Sequence, residues 1–129
     1  MIILDTHIWV WWVQGDSRLS EQQQAWIQQY MPQGLGVSIF SCWEVAKLVE
    51  KGRLTLPSAI DEWLQIALSY PGVQQLELTL PIIIESTQLV GFHSDPVDQI
   101  IVATARIQNC PLLTADQKIL AYPNVLTLQ

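Results

Sequence analysis

The chain alternates short apolar runs with longer stretches in which apolar residues recur at helical spacing. Residues 1–4 are apolar throughout, which is typical of a central strand that is buried on both faces of a parallel sheet. Further strands are predicted at residues 36–39, 73–78, 111–114 and 125–128. The alternation of strands and helices predicts an α/β fold with βαβ units around a central parallel sheet of four to five strands.

Helices are predicted where helical periodicity is bounded by capping and breaking residues. They are expected at residues 6–14, 20–30, 41–51, 57–70, 81–90, 95–109 and 116–121. Ser20 is expected to cap the second helix, Gly52 to end the third and Pro57 to open the fourth. Because no repeat or linker interrupts this pattern, we expect a single domain over residues 1–129.

Composition narrows the class of protein. Half of the residues are apolar and only 14% are charged, which excludes an intrinsically disordered chain. The apolar start is too short for a signal peptide and no run is long enough to cross a membrane, so a cytoplasmic protein is expected. The two cysteines are too few and too isolated for a disulfide framework or a zinc site.

Four acidic residues lie where a predicted strand gives way to a helix. They are Asp5, Glu44, Asp98 and Asp116. In a parallel α/β sheet these junctions share the edge at the carboxyl ends of the strands, so the carboxylates are expected to crowd together. Like charges repel at such distances, and a hard divalent cation with oxygen ligands would relieve that repulsion. The sequence therefore predicts a metal-dependent site for phosphate chemistry.

Each acid also has a purely structural explanation. Asp5 and Asp116 are suitable helix caps, and Asp98 falls in a first helical turn, where the helix dipole favours negative charge. Ser41 and Glu44 have the spacing of a capping box. A cap, however, accepts Ser, Thr, Asn or Asp, whereas all the junctions here carry a carboxylate although the chain has only 12 acids. That conjunction favours a metal site.

Longer segments around these acids resemble the PIN-domain family, and most closely its VapC-type toxins of bacterial toxin–antitoxin pairs. The resemblance follows the whole chain in order, through Asp5-Thr6-His7-Ile8-Trp9 and residues 37–45, 95–105 and 112–116. It implies a three-layer PIN-like fold and Mg²⁺- or Mn²⁺-dependent cleavage of single-stranded RNA. It also implies a cognate antitoxin and a homodimer, with the antitoxin helix in a groove near Trp63 and Leu64; the alternative is that these two side chains fill the core.

By this resemblance Asp5, Glu44 and Asp98 match the three acids of the family's metal site, and Asp116 matches a fourth, more variable acid. Supporting hydroxyl positions fall on Thr6, Ser41 and Thr114. An acid that is common in the toxin branch falls on Asp95, which we expect to cap a helix while Asp98 binds metal. The branch often has arginine where this chain has Gln99. His7 and His93 match frequent histidines, and their role as a base or as packed, hydrogen-bonded rings stays open.

Charge argues for weak unaided binding of RNA, because the net charge is −6 and a basic surface normally supplies backbone affinity. The candidate contacts to the RNA backbone are Lys47, Lys51 and Arg53, which cluster after Glu44. Two other classes remain to be weighed. A non-catalytic PIN-like module that binds RNA or protein would be favoured by missing acids, and none is missing. An aspartate-based phosphatase or receiver is disfavoured, because a phosphatase loop would have an acid at the position of His7.

Overall fold

The computed structural model describes all residues from 1 to 129 and contains one sheet of five parallel strands. In chain order the strands are β1 (Ile2–Leu4), β2 (Leu35–Ser38), β3 (Val73–Leu76), β4 (Leu112–Leu113) and β5 (Thr127–Leu128). Their spatial order is β3-β2-β1-β4-β5, so β1 is central, as its apolar sequence predicted. The prediction of a parallel sheet of four to five strands is confirmed.

Seven helices flank the sheet: α1 (Thr6–Gln14), α2 (Glu21–Tyr30), α3 (Ile39–Glu50), α4 (Ile60–Leu68), α5 (Leu80–Ser86), α6 (Pro96–Gln108) and α7 (Gln117–Leu120). None of them is both long enough and apolar enough to cross a bilayer. Side chains alternate across β1, so Ile2 and Leu4 belong to one apolar cluster and Ile3 to another. The first cluster includes residues of α1–α4 and the second includes residues of α6 and α7, which gives the predicted three layers.

The tryptophans illustrate how the first cluster is filled. Trp9 is fully buried and packs edge-on against Trp63, with ring centroids 5.4 Å apart. The indole N–H of Trp63 donates to Gln14 Oε1 at 3.0 Å, so this buried ring has its polar atom satisfied. Trp63 therefore fills the chain's own core, whereas Leu64 is only partly buried.

Several boundaries differ from the predictions for local reasons. Helix α3 begins before Ser41, because the hydroxyl of Ser38 accepts the N–H of Phe40 and serves as the cap. The predicted capping box of Ser41 and Glu44 is therefore wrong. Helix α4 begins after the expected Pro57, at Ile60, with two acids in its first turn, where the dipole favours them.

Helix α5 ends at Ser86 rather than at residue 90. The hydroxyls of Ser86 and Thr87 donate to the carbonyls of Ile83 and Ile84, at 2.6 and 2.8 Å. These local bonds offer the backbone an alternative to further helix. The segment that follows leads to the start of α6, where Asp95 and Asp98 lie.

Candidate active site

The carboxyl ends of β1, β2 and β4 lead into the segments that carry the predicted acids. Asp5 follows β1 and caps α1, and Asp116 lies just after β4 and caps α7. Glu44 is on α3, which follows β2 directly, and Asp98 is in the first turn of α6. Parallel strand order thus directs all four acids toward one edge of the sheet.

Asp5 is the most enclosed of these acids, with 5% of its surface exposed. Its Oδ1 accepts the N–H of Thr6 at 2.8 Å, and its Oδ2 accepts the hydroxyl of Thr114 at 2.7 Å. Burial raises the pKa of the Asp5 carboxyl, and this effect outweighs the two hydrogen bonds and the nearby His7, which lower it. The Thr114 bond joins β1 to the segment after β4, so it fixes Asp5 from both strands.

Glu44 is partly buried beside Asp5. Burial raises the pKa of the Glu44 carboxyl, as do the charges of Asp5 and Asp95, while the Thr6 hydroxyl and His7 lower it. The same Thr6 hydroxyl contacts Ser41 Oγ at 2.9 Å. The predicted supporting hydroxyls of Thr6, Ser41 and Thr114 therefore all lie against the acids or against one another.

Asp98 shows most clearly that the acids converge. Only 17% of its side chain is exposed, and its pKa is raised from 3.8 to about 7. Burial is the largest cause, and repulsion from other carboxylates adds to it. The residues responsible for that repulsion are Asp5, Asp95, Asp116 and Glu44. Five acids from four separate segments of the sequence thus act on one another across the pocket.

Asp95 and Asp116, like Asp5, also serve as helix caps. Asp95 Oδ1 accepts the N–H groups of Val97 and Asp98, so the prediction that Asp95 caps α6 is confirmed. Asp116 Oδ1 accepts the N–H of Lys118 and of Ile119. Capping uses one oxygen of each carboxylate, so the structural and functional explanations of these acids are compatible.

The donor set suits a hard divalent cation, because it consists of carboxylate oxygens with no soft ligand among them. Burial and repulsion from neighbouring carboxylates raise the pKa of Asp5, Glu44 and Asp98, so a cation bound among them would stabilise their charged forms. As they stand in the structure, no three histidine, cysteine or acidic side chains lie close enough together to hold a metal ion. A bound cation would therefore bring carboxylates closer together, and its positive charge would offset the repulsion between them.

The predicted basic residues lie further along α3 and after it. Lys47 forms an ion pair with Glu50 at 3.1 Å and lies 5.8 Å from the ring centroid of Trp43. Lys51 and Arg53 are exposed and form no salt bridge. None of these three basic side chains is among the groups that shift the pKa of Asp5, Glu44 or Asp98.

A contact that the sequence could not specify joins His93 to Asp98. His93 Nε2 lies 3.1 Å from Asp98 Oδ2. Sequence spacing gave no indication of this contact, because it depends on how the loop before α6 folds back onto the first turn of that helix.

Comparisons with known proteins agree with this architecture. Over 125 residues the chain is 29% identical to Ribonuclease VapC22 of Mycobacterium tuberculosis, covering 92% of this chain and 88% of that protein. A chain in the crystal structure of VapBC2 from Rickettsia felis, bound to a DNA fragment from its promoter, superposes with a TM-score of 0.74. That match has 18% identity and covers 99% of this chain and 98% of the other.

A toxin–antitoxin complex from Klebsiella pneumoniae gives a TM-score of 0.71 at 18% identity, covering 100% of this chain and 97% of that chain. At such identity these structures show that the fold is shared. The family model of the PIN domain matches residues 2–125. Since this match takes in nearly the whole chain and the fold agrees with it, the protein belongs to the PIN domain family.

Proposed function

We propose that this chain is a metal-dependent endoribonuclease that cleaves single-stranded RNA, folded as a single domain over residues 1–129. The observation that carries the proposal is the set of converging, mutually repelling acids around Asp98 in a chain of the PIN domain family. The similarity to Ribonuclease VapC22 of Mycobacterium tuberculosis supports the reaction class.

In this proposal Asp5, Glu44, Asp98 and Asp116 hold Mg²⁺ or Mn²⁺. Thr114 fixes one oxygen of Asp5 by its hydroxyl, at 2.7 Å. Thr6 and Ser41 form a hydroxyl pair that restrains the start of α1 against α3. When bound, the cation supplies Lewis-acid activation of the phosphate and of a water molecule.

The protein's own groups then position the reactants. Asp116 is half-buried and its cap uses Oδ1, which leaves Oδ2 either to bind the cation or to act as the general base that orients a water and accepts its proton. Asp5 is held rigidly by two hydrogen bonds and serves as the fixed ligand. Preorganised charge of this kind needs little rearrangement when the reaction occurs.

RNA is held through its phosphates by Lys47, Lys51 and Arg53 in this proposal. Lys51 and Arg53 are exposed, so both are available to a strand. The net charge of −6 opposes this attraction, so affinity for RNA is expected to be low and to fall steeply with salt.

We also propose that the chain is the cytoplasmic toxin of a toxin–antitoxin pair and that it forms a homodimer. The similarity to chains in VapBC2 of Rickettsia felis and in a toxin–antitoxin complex of Klebsiella pneumoniae supports an antitoxin partner. Because Trp63 is buried, the antitoxin would contact α4 through Leu64 and the half-exposed Ile66.

The direct test is cleavage of a labelled single-stranded RNA with Mg²⁺ or Mn²⁺, compared with the same RNA in a duplex. Cleavage should stop on chelation and resume when the cation is returned. Asp98→Asn should be inactive, whereas Asp61→Asn, which changes an exposed acid in the first turn of another helix, should be active. Binding of RNA without any cleavage would refute the proposed endoribonuclease activity and favour a non-catalytic PIN-like module.

The toxin role has its own test. Induced expression in a bacterial host should arrest growth, and co-expression of the protein encoded by the adjacent gene should restore it. Asp98→Asn should not arrest growth. Arrest by that inactive variant would show that toxicity does not depend on the proposed site.

A further inference from the structure

His93 occupies an unusual position between two of the acids. Its Nδ1 accepts the backbone N–H of Asp95 at 3.4 Å, and its Nε2 lies 3.1 Å from Asp98 Oδ2. The ring packs against Phe92 with centroids 4.4 Å apart. His93 therefore touches both the cap of α6 and the acid in its first turn.

The backbone contact fixes which nitrogen carries the ring proton. Since Nδ1 accepts a hydrogen bond, the proton of a neutral ring lies on Nε2, the atom that faces Asp98. Nε2 is shielded from solvent, yet its N–H is not aligned for a hydrogen bond. The distance of 3.1 Å is nevertheless a hydrogen-bond distance, so a small rotation of the Asp98 carboxylate would complete the bond.

The loop that carries His93 is anchored from two sides. Gln99 Nε2 donates to the carbonyl of His93 at 3.0 Å, and the hydroxyl of Tyr122 donates to the carbonyl of Val90 at 3.0 Å. The Gln99 bond acts on the backbone of His93 itself, whereas the Tyr122 bond acts three residues earlier. Gln99 thus sets where the imidazole stands relative to the turn that bears Asp98.

We propose that His93, held in place by Gln99, is a positioning residue that orients Asp98 for cation binding. Its Nε2–H donates a hydrogen bond to Asp98 Oδ2, which leaves Asp98 Oδ1 to bind the cation. This inference rests on the proposed function. It also assigns Gln99 the role of holding His93, at a position where the toxin branch often has arginine. A neutral amide at this position binds a carbonyl of its own chain.

The reason to expect an effect on affinity is that a carboxylate ligand must be held in one orientation to bind well. Partners that hydrogen-bond to metal ligands typically contribute 10–100-fold in metal affinity (order of magnitude). His93 is the side chain beside Asp98 that can donate to it, and the charged groups that face Asp98 from other elements are all acids.

The test measures the Kd of the full-length protein for Mn²⁺, by calorimetry or by electron paramagnetic resonance of the free ion. His93→Phe keeps a ring against Phe92 but removes the donor, and His93→Gln restores a donor near Nε2. We expect His93→Phe to weaken Mn²⁺ binding by roughly 10–100-fold and His93→Gln to stay within a few-fold of the wild type. Gln99→Leu should weaken binding in the same direction by a smaller factor.

Tyr122→Phe is the matched control, because it removes a hydrogen bond from the same loop without touching Asp98. It should bind Mn²⁺ like the wild type. Melting temperatures without metal identify any variant that fails to fold, and Gln99→Leu keeps the proposal testable in that case.

Unchanged affinity in His93→Phe and Gln99→Leu would overturn the proposal. Equal losses in His93→Phe, His93→Gln and Tyr122→Phe would also overturn it, because they would indicate general loosening of the loop. Failure of the wild type to bind Mn²⁺ would refute the proposed metal use itself, and the positioning role with it. A loss in His93→Phe that His93→Gln restores would support it.

Discussion

Replacing Asp98 by Asn should stabilise the metal-free protein at alkaline pH while abolishing RNA cleavage. The acid is mostly buried, faces other carboxylates and has a pKa raised from 3.8 to about 7. A raised pKa means that the folded state holds this proton more tightly than the unfolded state does. The contribution of protonated Asp98 to the free energy of unfolding is fully present below about pH 4 and is lost as the pH rises toward about 7.

The magnitude follows from the size of that rise. At about 1.36 kcal/mol per pKa unit, a rise in the pKa from 3.8 to about 7 means that charged Asp98 destabilises the fold by at most about 4 kcal/mol when the pH is above neutral. Solvent still reaches 17% of the side chain, and screening lowers the effect, so we expect a gain of about 2 kcal/mol from Asp98→Asn. The gain should shrink as the pH falls toward 4.

Urea unfolding in the presence of a chelator, at pH 8 and at pH 4.5, measures this gain. Asp61→Asn is the matched control, because it removes an exposed acid from the first turn of α4 and should give no gain at either pH. Saturating Mn²⁺ should stabilise the wild type and leave Asp98→Asn nearly unaffected. A variant no more stable than the wild type at pH 8 would refute the idea that repulsion and burial strain this acid.

Other predictions test the core, the hydrogen bond to Asp5 and the RNA contact. Trp9→Ala should cost about 3–5 kcal/mol in urea unfolding, because the ring is fully buried; a loss under 1 kcal/mol would contradict its place in the core. Thr114→Val should shift the acidic limb of the pH–rate profile to higher pH, because Asp5 loses the hydrogen-bond donor that lowers its pKa. An acidic limb at the same pH would mean that Asp5 does not control activity. Arg53→Gln should reduce the salt dependence of RNA binding by a slope of about 0.7, and an unchanged slope would exclude a phosphate contact.

Elements whose signals are local could be predicted well from the sequence. Helix α1 has the predicted bounds of residues 6 and 14, because Asp5 caps it and Gly15 ends it with φ of 62°. Strand β1 was recognised as central because both of its faces are apolar. Helix α6 was located by its cap, Asp95, and its left-handed terminal residue, Asn109.

Features that depend on contacts between distant residues were harder to predict. Ser41 looked like a helix cap, but its hydroxyl contacts Thr6, a partner 35 residues away, and Ser38 takes the cap instead. The electrostatic environment of Asp98 is the sum of charges from several elements, so only the assembled fold defines it. The sequence identified which acids converge but not how they are oriented.

The hydrogen bond between Thr114 and Asp5 has a consequence for how the protein is made. A ribosome delivers Thr114 109 positions after Asp5. Strand β1 can therefore pair with β4 only after the whole segment between them has been synthesised, and such long-range pairing delays completion of the sheet. A nascent chain that has not yet reached β4 consequently lacks the bond that fixes Asp5, so the acidic pocket is incomplete until that strand has been synthesised.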